Sequence, residues 1–595
     1  MKRPSWKRLV LISLAVLVTT VACGFGVYGL FSDRINKNIH DAIVEYIQSR
    51  VKSGAESLSS GKLSIELGDI NYTFFSGSLD VHRVRVGYHD STEARGRNVS
   101  VDIPLISVSG LYPWDILNGG GLSLGTIMID HPTIAHQAWG QAIDSLDLDA
   151  HDTSSMQLPR MPDVDSLMRQ IFVDLVPSYV QPLTIGGIRV SDVDFKNSDD
   201  NPAALYRGRI HDLSLRVGAI TVDASKPGVR PIESVEVSVA SWLREYTDKR
   251  SIHTRGLHVL VSDKDSSLVV DSIDLRLPLE YTYSATAIRF SYRTRELSIG
   301  TFALGPSQKD DDYFAAQKFN SDRFRVKGGA VLLREIDFKA LQARTALHVQ
   351  TIDVGTLELD ILSNKRLRSN PKAAPQKMLN QLAQSLPFQL AVDSLVVKGT
   401  SIHYGERWSH SATPATLSWK GVSATATGLR NITDQGAPFT ITARGRFQDQ
   451  ATMEATFVIP LTSPTYVLDA RGSLGRTDVT SLNTFLPIAE NVRIRSGIAS
   501  SASFDYKVRG RACTGKVSPH FTNLYIDLVN KESKKTGGIF NVFVSFVANW
   551  LAIKNDNDGE DYKDGVIKYT LPADAAFMQT IWFPVRSGLT KAAGM

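Results

Sequence analysis

Cysteine is nearly missing. Cys23 and Cys513 are the only two in 595 residues, which excludes a disulfide framework and any zinc site built on cysteines. The 13 histidines are scattered, without HExxH spacing; His82, His89, His131 and His136 form the nearest grouping, and their spacing demands no metal. Charge of one sign is also scarce: 66 Lys+Arg against 61 Asp+Glu leaves +5, too thin a surplus for a nucleic-acid stripe. No P-loop, kinase set or framed pair of catalytic carboxylates occurs. What remains, 43% hydrophobic and 21% charged, is globular composition in a chain too long for one ordinary core.

Three motifs fail on context. Gly24 to Gly29 spells GxGxxG inside an apolar run with no preceding strand. Gly121 to Gly125 spells GxSxG around Ser123, but Thr126 to Ile129 reads as strand where a nucleophile elbow needs a helix. Lys554 to Asp561 resembles a calcium loop, yet Lys554 and Gly565 would occupy the first and twelfth ligand positions, so it reads as a solvated acidic loop. Asn71, Asn98 and Asn431 begin glycosylation sequons, which matter only in a compartment holding the enzymes. The sequence contains no catalytic constellation, and the chain reads as a non-enzyme without cofactor or metal.

The strongest positive signal is Leu9 to Phe31, 23 residues without a charge. As a helix it reaches about 35 Å, enough to cross a hydrocarbon layer of about 30 Å. Lys2, Arg3, Lys7 and Arg8 precede it, so the positive-inside rule leaves the rest of the chain on the far side of the membrane. A cleaved signal peptide is the rival reading, but the apolar run is too long and no small-x-small site ends it. Thr20 to Cys23 only faintly matches a lipoprotein box.

Behind this anchor, Ile35, Ile39, Ile43, Ile47 and Val51 recur every four residues and predict a helical stalk. From about Lys62 the period becomes two. Leu63-Ser64-Ile65-Glu66-Leu67, Leu213 to Val217, Val235 to Val239 and Ile273 to Leu277 all alternate apolar with polar, as half-buried antiparallel strands do. Period alone leaves two architectures open: a set of closed β-sandwiches, or one long sheet with a continuous apolar face.

An internal repeat is present. Amphipathic helices are expected at Asp165 to Val176, stopped by Pro177, and at Gln376 to Leu386, stopped by Pro387. The strands that follow match at a constant offset of 207: Leu183, Ile185, Ile188, Val190 and Phe195 correspond to Leu390, Val392, Leu395, Val397 and Ile402. Towards the C-terminus a short helix is expected over Thr477 to Leu486. Ile539 to Ile553 is a 15-residue apolar helix, too short to span a bilayer. It reads either as a core helix or as an element lying on a membrane or plugging an apolar groove. Phe577 to Leu589 is a second such candidate, with Pro584 expected to kink or break it.

The order of these features resembles the AsmA-like family of bacterial envelope proteins. The stretches carrying the resemblance are Gly61 to Ile65 through Gly77 to Val81, Val99 to Val108, and Leu124 to Ile134. Asp478 to Leu486, Ile494 to Gly497, Gly515 to Leu528 and Ile581 to Gly588 extend it. Together they cover about a third of the chain, and residues 200–370 show no specific likeness. The resemblance implies an inner-membrane anchor and a periplasmic, curved antiparallel groove related to bridge-like lipid-transfer proteins, along which phospholipid acyl chains slide.

On this basis the fold expected is mainly β: a transmembrane helix, then an elongated curved antiparallel β-groove with a few amphipathic helices. The expected divisions are a cytoplasmic tail (1–8), the transmembrane helix (9–31), a stalk (32–60), an N-terminal AsmA-like β region (61–200), a central groove region (201–370), a C-terminal AsmA-like β region (371–535) and apolar C-terminal helices with a loop (536–595). Leu63, Ile65, Leu67, Leu213, Leu215, Val217, Val235, Val237, Val239, Ile273, Leu275 and Leu277 are the candidate groove lining. Phe543, Trp550, Phe577, Ile581 and Trp582 are the candidate membrane contacts. Expected partners are membrane phospholipids, the inner membrane and outer-membrane or periplasmic proteins, with no nucleic acid. Two rivals stay open: a membrane-anchored scaffold for outer-membrane protein assembly, and an envelope hydrolase using Ser123, ranked last because of its strand context.

Overall fold

A computed structural model describes residues 63–73, 77–90, 97–110, 122–137, 182–197, 206–222, 232–246, 249–262, 266–277, 281–342, 345–368, 370, 376–432, 437–529, 555–573 and 575–592. The apolar run 9–31, the stalk, the helices expected at 165–176 and 539–553, and therefore Phe543 and Trp550, lie outside the described residues. Among the described residues the chain is mainly β, and no helix is long and apolar enough to cross a membrane. They fall into two compact units, one drawn from residues up to 276 together with 287–293, the other from 277–286 and 294 onwards.

In the first unit β1 (Leu63–Glu66) and β2 (Ile70–Thr73) both lie antiparallel to β3 (Ser78–Asp90), which pairs with β4 (Arg97–Val108). The far side of β4 is shared by β5 (Leu122–Asp130) and β6 (Thr133–Gln137). β7 (Leu183–Asn197) then runs parallel to both. Antiparallel pairing resumes from β7 to β8 (Tyr206–Val217) and β9 (Ile220–Val222). β10 (Ser234–Tyr246), β11 (Ser251–Ser262) and β12 (Ser266–Arg276) follow in hairpin order beyond β8.

The second unit starts in β13 (Tyr281–Ser291), whose first half pairs with β15 (Thr301–Pro306); β14 (Glu296–Ile299) precedes β15. Helix α1 (Asp310–Ala315) leads to β16 (Asp322–Gly328) and β17 (Val331–Ile336), and α2 (Phe338–Gln342) to β18 (Ala346–Val354) and β19 (Leu357–Asn364). After α3 (Leu379–Gln384), β20 (Gln389–Arg407) runs parallel to β18 and β19. Antiparallel neighbours follow: β21 (Ala415–Arg430), β22 (Phe439–Phe447), β23 (Ala451–Ile459) and β24 (Val467–Leu474). The short β25 (Thr477–Asp478), a 3-10 helix (Val479–Thr484) and α4 (Leu486–Ala489) precede β26 (Val492–Arg509), which pairs with β24 and β27 (Ala512–Leu528). β28 (Gly565–Thr570) adds to β27, and α5 (Phe577–Ala592) packs on this last sheet segment.

The two units repeat one plan. Leu122 stands opposite Leu183 and Ile134 opposite Phe195; in the second unit Leu347 stands opposite Leu390 and Leu359 opposite Ile402. The long-strand positions are related by 390 − 183 = 207 and their parallel partners by 347 − 122 = 225 throughout. Even the irregularity is copied. Asp192 (φ 53°) and Gly399 (φ 68°), also 207 apart, lie at register shifts after Val190 and Val397. A bulge there bends the strand and needs a left-handed residue, which glycine adopts freely and aspartate tolerates. The parallel step demands a crossover rather than a hairpin. In the second unit it holds α3, shorter than the Gln376 to Leu386 expected because only 379–384 keep helical geometry before the turn at Ser385.

Two further expectations change. The helix foreseen at Thr477 to Leu486 is a two-residue strand and a 3-10 turn, because the Asp478 carboxylate accepts from the Thr480 backbone N–H at 2.9 Å and tightens the chain locally. The acidic loop is not merely solvated: Asn557 is wholly buried, donating to the Pro519 and Lys563 carbonyls and accepting from the Lys563 N–H at 2.9 Å.

Candidate functional site

Residues paired across a sheet share a face. Following the pairs through the first unit therefore traces what that face carries. One row passes through Ile70, Val81, Ile106 and Ile129 on β2 to β5. It continues as Val190, Leu215, Val237, Val259 and Leu268 on β7, β8 and β10 to β12. A neighbouring row contains Leu79, Val108, Ile127 and Ile188, then Val217, Val235 and Val261. Beyond the bulges a third joins Ile65, Val86, Val101 and Ile134, crosses β7 at position 195, and reaches Ile210, Trp242, Thr254 and Ile273. Nine strands at ~4.8 Å spacing make such a row about 38 Å long.

Cover over the first row is uneven. Val81 and Ile106 are 1% exposed, whereas Val190, Leu215, Val237, Val259 and Leu268 are only half-buried. These five side chains thus keep part of their surface in water over about 20 Å of sheet, while Ile188, Val217, Val239 and Val270 on the same strands are buried. The opposite face of the same strands is polar. Arg216 pairs with Glu236 at 3.1 Å, and His258 hydrogen-bonds Glu236 at 2.8 Å; that bond, helped by Arg216, holds the Glu236 carboxyl below its ordinary range. Such exposed pairs add little stability but keep this face wet.

The second unit shows the same gradient reversed. The row Ile299, Val331, Val354 and Val397 is half-buried. Its continuation is Ala424, Ala443, Ala455 and Gly472, small residues where the first unit has Leu215, Val237, Val259 and Leu268. The Phe504 ring lies over Gly472, where any Cβ would meet it at 2.5 Å. From there the sheet is sealed: Leu468, Tyr506 and Val508 are wholly buried beside Ile567 of β28 and Phe583 of α5.

The expected lining residues divide accordingly. Leu213, Leu215 and Val217 stand opposite Val239, Val237 and Val235, and all six share the face. Ile273 joins the row that begins at Ile65, and Leu275 lies beside it opposite Ile252. Leu63 is in β1, while Leu67 and Leu277 lie just beyond β1 and β12. Val190, Val259 and Leu268 belong to the half-buried face and were missed, because their alternation is visible but their partners are not. Among the expected membrane contacts, Phe577 packs on the sealed core, Ile581 is half-buried and Trp582 is exposed. α5 runs unbroken through Pro584, so the break expected there does not occur.

Among the described residues, the groupings that resemble catalytic or metal sites also have structural partners. Ser123 sits in β5 opposite Thr184. Ser241 Oγ is 3.0 Å from His253 Nε2, but His253 Nδ1 faces the Arg255 guanidinium at 2.9 Å. Arginine only donates, so Nδ1 accepts and Nε2 carries the proton towards Ser241, the wrong polarity for a base. Asp130, His131 and Asp192 converge within 4.8 Å on the exposed surface. The Asp130 carboxyl, lowered first by the Ser191 hydroxyl at 2.8 Å and then by His131, is already engaged in that turn. Asn431 spends its side chain on the Phe388 and Ala383 carbonyls and the Leu390 N–H, a staple rather than a sugar acceptor.

Compared with known protein families and curated proteins, the sequence matches no family and no curated protein.

Proposed function

We propose that this is an AsmA-like, inner-membrane-anchored envelope protein whose periplasmic sheet binds phospholipid acyl chains on its half-buried apolar face and conducts them towards the outer membrane. One observation carries the reading: an apolar row that continues across nine strands yet stays only half-buried at Val190, Leu215, Val237, Val259 and Leu268. An extended fatty-acyl chain laid there loses water from about 0.8 kcal/mol worth of surface per methylene, and from the sheet's own side chains as well. Successive rows of similar Leu and Val residues provide many near-equivalent positions, so binding need not create a deep trap. The charge-free run Leu9 to Phe31 supports the membrane anchor. The second unit repeats the same plan of strands, which supports a chain built from a duplicated β element.

A scaffold for outer-membrane protein assembly is the second reading. The sealed core around Tyr506 and Leu468 favours it, since there the apolar residues are consumed in packing.

A photoreactive amino acid placed at Leu215 or Val237 of the full-length chain in cells separates the two. Covalent phospholipid adducts at these sites, and none at Glu236 or Arg216 on the polar face, are expected. Adducts to protein alone, or none at either apolar site, overturn the transport reading.

A further inference from the structure

The second unit has a half-buried apolar face of its own, and one end of it is acidic. Two rows run side by side across β16, β19, β20 and β21: Val326, Leu359, Ile402 and Trp419, then Phe324, Ile361, Tyr404 and Leu417. All are half-buried except Phe324, which is 41% exposed. The next row on the same face is Asp322, Ser363, Glu406 and Ala415. Two carboxylates thus flank a serine, each one strand spacing of about 4.8 Å away. Ser363 is 1% exposed, and its hydroxyl has no hydrogen-bond partner. A third carboxyl lies close by. Glu490 follows α4 directly, and its Oε2 is buried and equally unpartnered. Burial raises the Glu490 carboxyl, Arg586 lowers it and the Glu406 charge raises it again, so the two glutamates stand within each other's field. A buried hydroxyl and a buried carboxylate oxygen without partners both cost stability until something outside the chain bonds to them.

We infer that Asp322, Ser363, Glu406 and Glu490 hold the primary ammonium of a phospholipid headgroup whose acyl chains lie on the two adjoining apolar rows. The headgroup site presupposes the acyl-chain binding proposed above and adds which lipid this end of the face selects. Asp322, Glu406 and Glu490 outweigh the nearby Arg586, so a cation is drawn here and an anionic headgroup is repelled. A metal ion fits poorly: among the described residues, only Asp130, His131 and Asp192 bring three such ligand atoms within 4.8 Å of one another. An ammonium can instead spread its three N–H donors over separated acceptors. Those acceptors are the Ser363 hydroxyl, Glu490 Oε2 and the lone pairs of Glu406 left over by the Tyr404 hydroxyl at 2.7 Å and the Trp408 indole N–H at 2.9 Å. The Tyr404 and Phe485 rings, 6.3 Å apart, add aromatic faces beside the cation. A quaternary ammonium has the charge but no N–H, and would leave both buried oxygens unsatisfied. Asp322 and Phe324 are exposed, so the acidic end is reached from water along this edge.

The test places a photoreactive phenylalanine analogue at Phe324 of the full-length chain. The protein is reconstituted with equal parts of phosphatidylethanolamine, phosphatidylcholine and phosphatidylglycerol of identical acyl composition, and the adducts are counted by mass spectrometry. Phosphatidylethanolamine should exceed each of the other two about five-fold. Asp322→Asn, at an exposed position, and Ser363→Ala should each bring the three lipids close to parity. Thermal unfolding matched to the wild type shows that the variants are folded; if Ser363→Ala is not, Asp322→Asn decides alone. Adducts in the proportions of the mixture, an excess of phosphatidylglycerol, or an ethanolamine preference that the folded variants keep would overturn the headgroup site. A probe at Leu215 in the first unit reads acyl-chain binding by itself. Lipid adducts at Leu215 but none at Phe324 defeat the headgroup site alone, and adducts at neither position defeat both readings.

Discussion

The Tyr506 hydroxyl donates to the Thr580 carbonyl at 3.1 Å and lies 3.2 Å from the Ile581 carbonyl, taking the place of a donor that the helix itself lacks. In an unbroken α-helix the N–H of residue 584 would serve the Thr580 carbonyl, but Pro584 has none. A sheet residue, 0% exposed, satisfies the orphan, and α5 continues where proline alone should stop it.

Tyr506→Phe should therefore cost about 1–3 kcal/mol in chemical denaturation, the penalty for leaving a buried carbonyl unsatisfied. Pro584→Ala restores the missing N–H, so the double variant Tyr506→Phe/Pro584→Ala should recover a large part of that loss. Strict additivity of the two changes would show that the hydroxyl does not stand in for the missing donor.

Arg323 supplies a second stability test. It is 2% exposed between Asp310 at 3.1 Å and Asp360 at 2.7 Å, joining α1 to the sheet. Arg323→Met takes this partner from Asp360 but leaves Asp310 with Arg325 at 2.8 Å, and both carboxylates are about a third exposed, so the second unit should lose about 1–3 kcal/mol. Changing Asp360 to Asn in the same variant should return part of it, because the carboxylate left without its arginine is then removed. Equal unfolding midpoints for the single and double variants would refute this account.

Much of this is legible in the sequence alone. The alternation of Leu213 to Val217 and Val235 to Val239 identified strands and their apolar face, since period two is a local property. The offset of 207 survived because a bulge shifts both copies alike, and the odd spacing of five from Val190 to Phe195 already marked an extra residue. Partner strands were not readable: nothing local in β7 says that it lies parallel to β5 and β6, separated from it by a crossover. The phase of α5 was misjudged for the same reason. Phe577 and Met578 are equally apolar, and only the tertiary contact with Tyr506 and Phe583 decides which one turns inward. Pro584 misled because the rule for proline assumes that no outside donor is at hand.

Glu490 gives the chain a pH-dependent stability. Burial pushes its carboxyl up from 4.5 to about 7, with Arg586 pulling down and Glu406 pushing up more weakly, and its Oε2 is buried without a hydrogen-bond partner. Between pH 4.5 and about 7 the folded chain holds this proton more tightly than the unfolded chain does, so stability falls as pH rises through that window. The drop is on the order of 3 kcal/mol and is complete above pH 7. Glu490→Gln should flatten the slope in urea titrations run from pH 4.5 to 8. An unchanged slope would assign the dependence to another group.

The half-buried face makes the sharpest contrast. Ile106 and Leu215 belong to one cross-strand row, yet Ile106 is 1% exposed and Leu215 half-buried. Ile106→Asp should abolish cooperative folding, because an aspartate there loses its hydration and finds no partner. Leu215→Asp keeps water within reach of its carboxylate, so its cost should stay within about 1–2 kcal/mol, the range of an ordinary substitution. If both variants unfold alike, the side chains of β8 are core, closed against something, and an acyl chain has nowhere to lie. If only Ile106→Asp unfolds, the row changes along its length from protein core to unoccupied apolar surface, and loss of phospholipid crosslinking from Val237 in the folded Leu215→Asp variant then locates the acyl chain on it.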